Sequence, residues 1–346
     1  GNYRIDVIVN DVTYTAGNAT VKEGEVSNST YTYSTTDTDA KAGADNQSTV
    51  TLNEDELKDD GSQTVSSVLT SSRDVFVSTA AYSLSAGRFK IRGYGNDNFT
   101  TYLNGVPVND PEDGFIPWGQ WSGLNNVMNN RETTIGLQPS SNTFGNIGGI
   151  YSFDSRAAKQ RKQLQVSYTN TNRAYKHRLM ATYSTGILKH GWAVSVSASR
   201  RWAAQGYVPG TFYDGYSYFL AVQKYFGSNQ SLALTVLGSP TKSGVASASV
   251  MEMYNLAGSH YYNPNWGYQD GKVRNAKVAS DHEPIFILTH EWKIDNNSNW
   301  ITSAGFSFGK RAVTGLDWYN ARDPRPDYYS NLPSYLEDST LKMVAE

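Results

Sequence analysis

From Gln163 onward, apolar residues fall on every second position, and this period recurs in segment after segment. In 163–171, Leu164, Val166 and Tyr168 alternate with Gln165, Ser167 and Thr169. In 192–201, Trp192, Val194, Val196 and Ala198 alternate with Ser195, Ser197, Ser199 and Arg201. Leu179, Ala181 and Tyr183 form another set, as do Tyr218, Leu220 and Val222, then Leu232, Leu234 and Val236, and finally Trp300, Ala304, Phe306 and Phe308. The stretch 284–292 is apolar on both faces and leaves its period ambiguous. A period of two is the mark of a strand with one apolar face, so about seven strands are expected here.

The connections separate a sandwich from a barrel. Strands two and three meet around Lys189-His190-Gly191, four and five around 227–230, six and seven around 295–299, and all three joins are short. Between them lie the long segments 203–215, 241–283 and 310 onward; only the first join, near 173–176, is brief. Alternating tight turns and long loops is the habit of a membrane barrel, whose turns face the periplasm and whose loops face outward. A Greek-key sandwich has no reason to gather its long loops at one end. Trp192, Trp202, Tyr225, Phe226, Trp292 and Trp300 sit at strand ends, where an interfacial girdle belongs.

Upstream the pattern differs. Residues 3–10 alternate and read as a strand, and 28–48 are polar, without apolar periodicity, so 1–48 is read as an N-terminal segment and linker. From 49 to 156 the signals are mixed: Val65, Val68 and Leu69 at helical spacing within 62–70, short strands at 74–77, 89–92 and 99–103, and an Asn104-Gly105 turn. This is read as a small α+β domain, with 157–346 holding the strands.

Composition pulls the other way. Mean hydropathy is −0.53, and no apolar run approaches the ~20 residues of a spanning helix. By itself that favours a secreted β-sandwich. Barrels share the trait, because lumen-facing polar residues dilute the lipid-facing ones. A net charge of −2 shows no basic footprint for nucleic acid. Without cysteine, thiol catalysis and cysteine metal sites are excluded.

Three ordered motifs carry a family resemblance: Ile91-Arg92-Gly93; Tyr102-Leu103-Asn104-Gly105-Val106-Pro107-Val108; and 139–149, ending Gly145-Asn146-Ile147-Gly148-Gly149. With the strand that follows, they resemble TonB-dependent receptors, most closely the large Bacteroidetes-type ones, over about residues 49–330. The resemblance implies an outer-membrane importer of a Gram-negative bacterium in which an α+β plug blocks a transmembrane β-barrel of about 22 strands. It implies TonB and its motor proteins ExbB and ExbD as partners, leaves room for a surface lipoprotein partner, and implies neither enzymatic chemistry nor a cofactor. Asp6-Val7-Ile8-Val9 resembles a TonB-binding segment faintly and a plain strand equally well. Seven strands cannot close such a barrel, since an open edge in lipid leaves backbone groups unpaired. Further strands are therefore expected elsewhere, and the chain alone is expected to transport nothing. A non-transporting surface or secretion-accessory protein is the alternative on the same fold.

The motif residues Arg92, Gly93, Asn104, Gly105, Pro107, Gly145, Gly148 and Gly149 are read as structural, Arg92 because its fork suits a buried pairing and the glycines as turn or close-approach positions. The stretch 109–121, which the resemblance places toward the outside, is the first choice for ligand contact. Asn109, Asp110, Asp113, Trp118 and Trp121 are its candidates, with Tyr213, Tyr262 and Trp266 from the loops. Packing of both indoles between plug and barrel is the competing reading. The three carboxylates in 110–113 suit a hard cation in principle, but Asp-Pro and Asp-Gly pairs are ordinary turn formers, and no metal is assigned. The five histidines are scattered, and neither a nucleophile elbow nor a zinc-protease helix is present.

Overall fold

The computed structural model describes residues 2–9, 12–20, 50–51 and 94–336, except 115, 117, 138–139, 141–142, 144, 171–174 and 296. Up to residue 51 only backbone pairing is described. Two compact units result, Gly1–Gln47 and Ser48–Glu346. In the first, β1 (Asn2–Val9) pairs antiparallel with β2 (Val12–Thr20), with a register shift between Ile5 and Asp6. The segment Asp6-Val7-Ile8-Val9 is thus one side of a hairpin. Its partner, VTYTAGNAT, carries too little apolar periodicity to announce itself.

The second unit begins with a five-stranded mixed sheet. Its strands are β3 (Val50–Thr51), β4 (Phe99–Leu103), β5 (Val106–Pro107), β6 (Arg131–Ile135) and β7 (Gly149–Phe153), in the order β3-β6-β7-β4-β5. Only β4 and β7 run parallel. Asn104 (φ 49°) and Gly105 (φ 83°) make the two-residue turn between β4 and β5. Positive φ at both central positions matches the right-handed strand twist, which is why this dipeptide closes so many hairpins. Pro107 lies on the edge strand, where its missing N–H costs no ladder bond. The expected helix at 62–70 and strands at 74–77 and 89–92, with Arg92 and Gly93, lie outside the described residues.

All seven expected strands then form. They are β8 (Gln163–Asn170), β9 (His177–Ile187), β10 (Trp192–Ala203), β11 (Tyr213–Phe226), β12 (Gln230–Gly238), β17 (Ile285–Lys293) and β18 (Asn299–Ser307), each antiparallel to the next. Between β12 and β17 come β13 (Thr241–Gly244), β14 (Trp266–Gln269), β15 (Lys272–Asn275) and β16 (Val278–His282); β19 (Lys310–Val313) follows β18. β13 pairs β11 and β16, and β16 pairs β19, so the sheet continues past the long-loop ends of the main strands. Pro240 and Pro284 stand at the breaks, where a residue without an N–H interrupts the ladder.

The seven-stranded meander is built inside out. Outward-facing Leu164 is 76% exposed and Val166, Val196, Leu232 and Leu234 are exposed too, whereas Ser195 is fully buried, with Ser197 and Arg201 nearly so. Inward hydroxyls satisfy one another across strands: Ser184 with Ser195 at 2.7 Å and Thr182 with Ser197 at 2.7 Å. Apolar side chains outward and paired polar ones inward suit lipid outside, where no water competes for hydrogen bonds.

The inner face is apolar where the small domain packs. Phe219, Leu237, Ile285 and Ile287 join Phe99, Leu103, Ile116, Leu124, Val127 and Phe153 in one core. This resolves 284–292: Ile285 and Ile287 point into that core while Leu288 points out. A strand buried against protein on one face and lipid on the other has no polar period to show.

Candidate functional site

The small domain meets the wall at three heights. At the short-turn end, Arg156 donates to Asp154 (2.5 Å) and to Glu291 of β17 (2.9 Å), an ion pair largely removed from water. Near the middle, buried Asn104 holds both sides: its Oδ1 accepts from the Ser155 N–H at 2.7 Å, and its Nδ2 donates to Thr235 Oγ1 of β12 at 3.0 Å. Its carbonyl accepts from Ser303 of β18 at 2.7 Å. Toward the long-loop end, the Ser122-Gly123 turn lies on a patch of wall hydroxyls. Ser217 and Ser239 both donate to the Ser122 carbonyl, at 2.6 and 2.9 Å, and Arg201 donates to Ser122 Oγ at 2.8 Å. Gly123 has φ 91°, and a Cβ there would stand 2.5 Å from both Ser199 Oγ and Ser217 Oγ, so the approach requires glycine.

Asn104→Ala removes bonds to both partners at once and leaves Thr235 Oγ1 and the Ser155 N–H without them. We expect a loss of about 1–3 kcal/mol, measured by urea unfolding of the full-length protein in detergent.

The remaining predicted residues separate into groups. Asn109 spends its amide on backbone, accepting from Thr101 N–H (2.7 Å) and donating to Phe99 and Gly114 carbonyls (2.8 and 2.9 Å), which clips the following loop to β4. Trp121 is in the core, and Trp118 packs edge-on against Trp121 and Tyr151, their ring centres 5.7 and 5.2 Å apart. The two indoles therefore pack inward between domain and wall. Asp110 and Asp113 are exposed on a turn, where Asp110 Oδ1 accepts from the Glu112 N–H. Gly145, Gly148 and Gly149 line the approach to β7, and a Cβ on Gly149 would collide with the Thr134 carbonyl.

Tyr213 begins β11 with its ring 5.5 Å from the Arg201 guanidinium. Tyr262 and Trp266 are half-buried in the long loop after β12, Trp266 against Gly210 and edge-on to Tyr268. Burial pushes the Tyr262 hydroxyl above its ordinary pKa, and the Asp327 charge adds to this. Sequence reasoning missed what builds this loop cluster. Buried Asn263 and Asn275 donate to the Pro209 and Gly210 carbonyls, stitching the loop after β12 to the one after β10, while Asn265 and Asn275 both donate to the Val245 carbonyl within their own loop. Asparagine is common in exposed turns, so the three residues carried no distinguishing signal.

Residues 43–142 match the sequence profile of the TonB-dependent Receptor Plug Domain. The ferric-catecholate import receptor Fiu from E. coli K12, in its open form, shares the fold at 15% identity and a TM-score of 0.51, over 76% of this chain and 38% of that one. The siderophore receptor PiuA from Acinetobacter baumannii (15% identity, 64% and 30% covered, TM-score 0.46) and the ferric citrate transporter FecA in its unliganded form (10%, 66% and 34%, 0.48) align more loosely. The chain thus spans 30% to 38% of the length of these structures. No curated protein sequence matches significantly. A mixed-sheet domain bearing the plug profile, seated on the inner face of an inverted meander, defines the class: residues 43–142 are similar to the plug domain of TonB-dependent receptors, and the chain shares the plug-and-barrel fold of such a receptor.

Proposed function

We propose that the receptor imports a scarce ligand actively across the outer membrane, driven by TonB with ExbB and ExbD, the plug gating a barrel of about 22 strands. The supporting observation is the plug seated on the wall by hydrogen bonds and the Arg156–Glu291 ion pair around a compact apolar contact, which suits a gate that is closed yet releasable. We divide the chain at 48/49 and 156/157 into N-terminal segment, plug and wall. Ligand contact is assigned to the exposed plug turn at Asp110 and Asp113 and to Tyr213, Tyr262 and Trp266 of the loop side, with Asn109, Trp118 and Trp121 supporting them. Tyr and Trp offer flat apolar faces with a polar edge, suited to rings and planar groups.

Energy enters from the periplasm and ligand from outside, so capture and transport are separable. In cells carrying the full-length protein, deleting the segment before Thr49 should leave surface binding intact and abolish uptake. Uptake that persists undiminished in that deletion, or without TonB, removes the importer reading and favours a passive pore or a surface-binding role.

A further inference from the structure

The turn from β9 into β10 gathers cations at the short-turn end of the outward face. In Leu188-Lys189-His190-Gly191 the Gly191 N–H donates to the Leu188 carbonyl at 2.8 Å, and the Leu188 N–H donates to the Trp192 carbonyl at 2.7 Å. Leu188, Lys189 and His190 are all exposed. Lys224 of β11 stands opposite Trp192 and points outward, since Gln223 beside it is buried on the inner side. Its Nζ lies 5.2 Å from the centre of the Trp192 ring and donates to the His190 carbonyl, so the stem follows the indole and the charge reaches the turn. Lys162, also exposed, lies against Gly186 just before the turn. Among the described residues no carboxylate forms an ion pair with any of these lysines. At this end of the wall, Glu291 points inward to Arg156, and Asp295 accepts from the Asn297 N–H in its own turn. At the opposite end of the same face, by contrast, Arg200 has Asp214 at 3.1 Å.

We propose that this turn and Lys224 hold the headgroup of an anionic glycerophospholipid in the periplasmic leaflet. The proposal rests on the reading of the outward face as lipid-facing and of the short turns as periplasmic. A lysine on a lipid face is costly unless its ammonium reaches the interface, and Trp192 and Phe226, both exposed, mark that interface. The ammonium carries three donors. The His190 carbonyl takes one, which leaves two for phosphate oxygens. Lys189 and Lys162 add positive charge that no carboxylate offsets. A headgroup of net negative charge is therefore favoured over a zwitterionic one, by about fivefold for each lysine close to the surface. Leu188 points the same way. A turn standing clear of the membrane would leave this side chain in water, whereas at the interface it meets glycerol and the upper acyl chains beside Trp192.

The test uses the full-length protein in phosphatidylcholine vesicles that carry a rising fraction of dibrominated phosphatidylglycerol or, separately, of dibrominated phosphatidylcholine. Bromine quenches tryptophan on contact, and the difference between the unaltered protein and Trp192→Phe isolates the Trp192 signal. That signal is expected to be quenched at an about fivefold lower fraction of the anionic lipid than of the choline lipid. Lys224→Gln should abolish the preference and Lys189→Gln should lower it. Lys242→Gln, which removes an exposed cation at the long-loop end, should leave it unchanged. If Lys224→Gln fails to fold, Lys224→Arg should keep the preference, and Lys189→Gln still tests the turn. Equal quenching by the two lipids, or a preference that survives both glutamine substitutions, overturns the site. So does a brominated phosphatidylethanolamine that competes as well as phosphatidylglycerol, because net charge would then not be read. Those results leave the lipid-facing wall standing. Only a Trp192 signal untouched by every brominated lipid removes that reading together with the site.

Discussion

Val196→Arg is expected to destabilise the protein by about 2–4 kcal/mol, the cost of a guanidinium on the lipid face near the bilayer midplane. Val196 is the fifth residue of the 12-residue strand β10, away from the tryptophans at Trp192 and Trp202, so its side chain has little scope to reach an interface. Its neighbours Ser195 and Ser197 are buried and bonded to Ser184 and Thr182, which fixes the faces of the strand. Phe226→Arg, at the short-turn end of β11, should cost about 0–1 kcal/mol. Urea unfolding in lipid vesicles reads both; equal costs at the two positions would mean that the exposed apolar band does not face lipid.

Ile287→Ala is expected to cost about 2–5 kcal/mol through lost burial and the cavity left behind. Ile287 is fully buried in the core shared by plug and wall. Leu288, its neighbour, points outward and is exposed, so Leu288→Ala removes a similar volume from a fluid that refills the space and should cost a fraction as much. The Ile287 change should also loosen the plug, seen as faster proteolysis within residues 94–153 while the strands stay protected. Similar losses for the two substitutions would place no packed plug against β17.

The distinction between these two neighbours was beyond the reach of sequence reading, because both are large aliphatics in a run that is apolar throughout. The paired indoles show the same limit. Trp118 and Trp121 suit a stacking surface and a packing contact equally, and only the positions of Tyr151, Phe153 and the wall turn them inward. The strand continuations β13, β16 and β19 are four or five residues long and carry no alternation of their own. Their pairing comes from neighbours the main strands had already aligned.

What the sequence alone determined is the local order: seven strands, their apolar faces, the tight Asn104-Gly105 turn, and the alternation of short and long connections. Each follows from interactions within a few residues, where side-chain period and backbone preference act directly. Tertiary structure alone decided which inward positions meet the plug, that Asn104 ties Ser155 to Thr235, and that Arg178 and Arg201 stand opposite one another across β9 and β10. Those contacts join residues from 23 to 199 positions apart. Their chemistry depends on strand register and domain docking, and a one-residue slip in either would replace every partner.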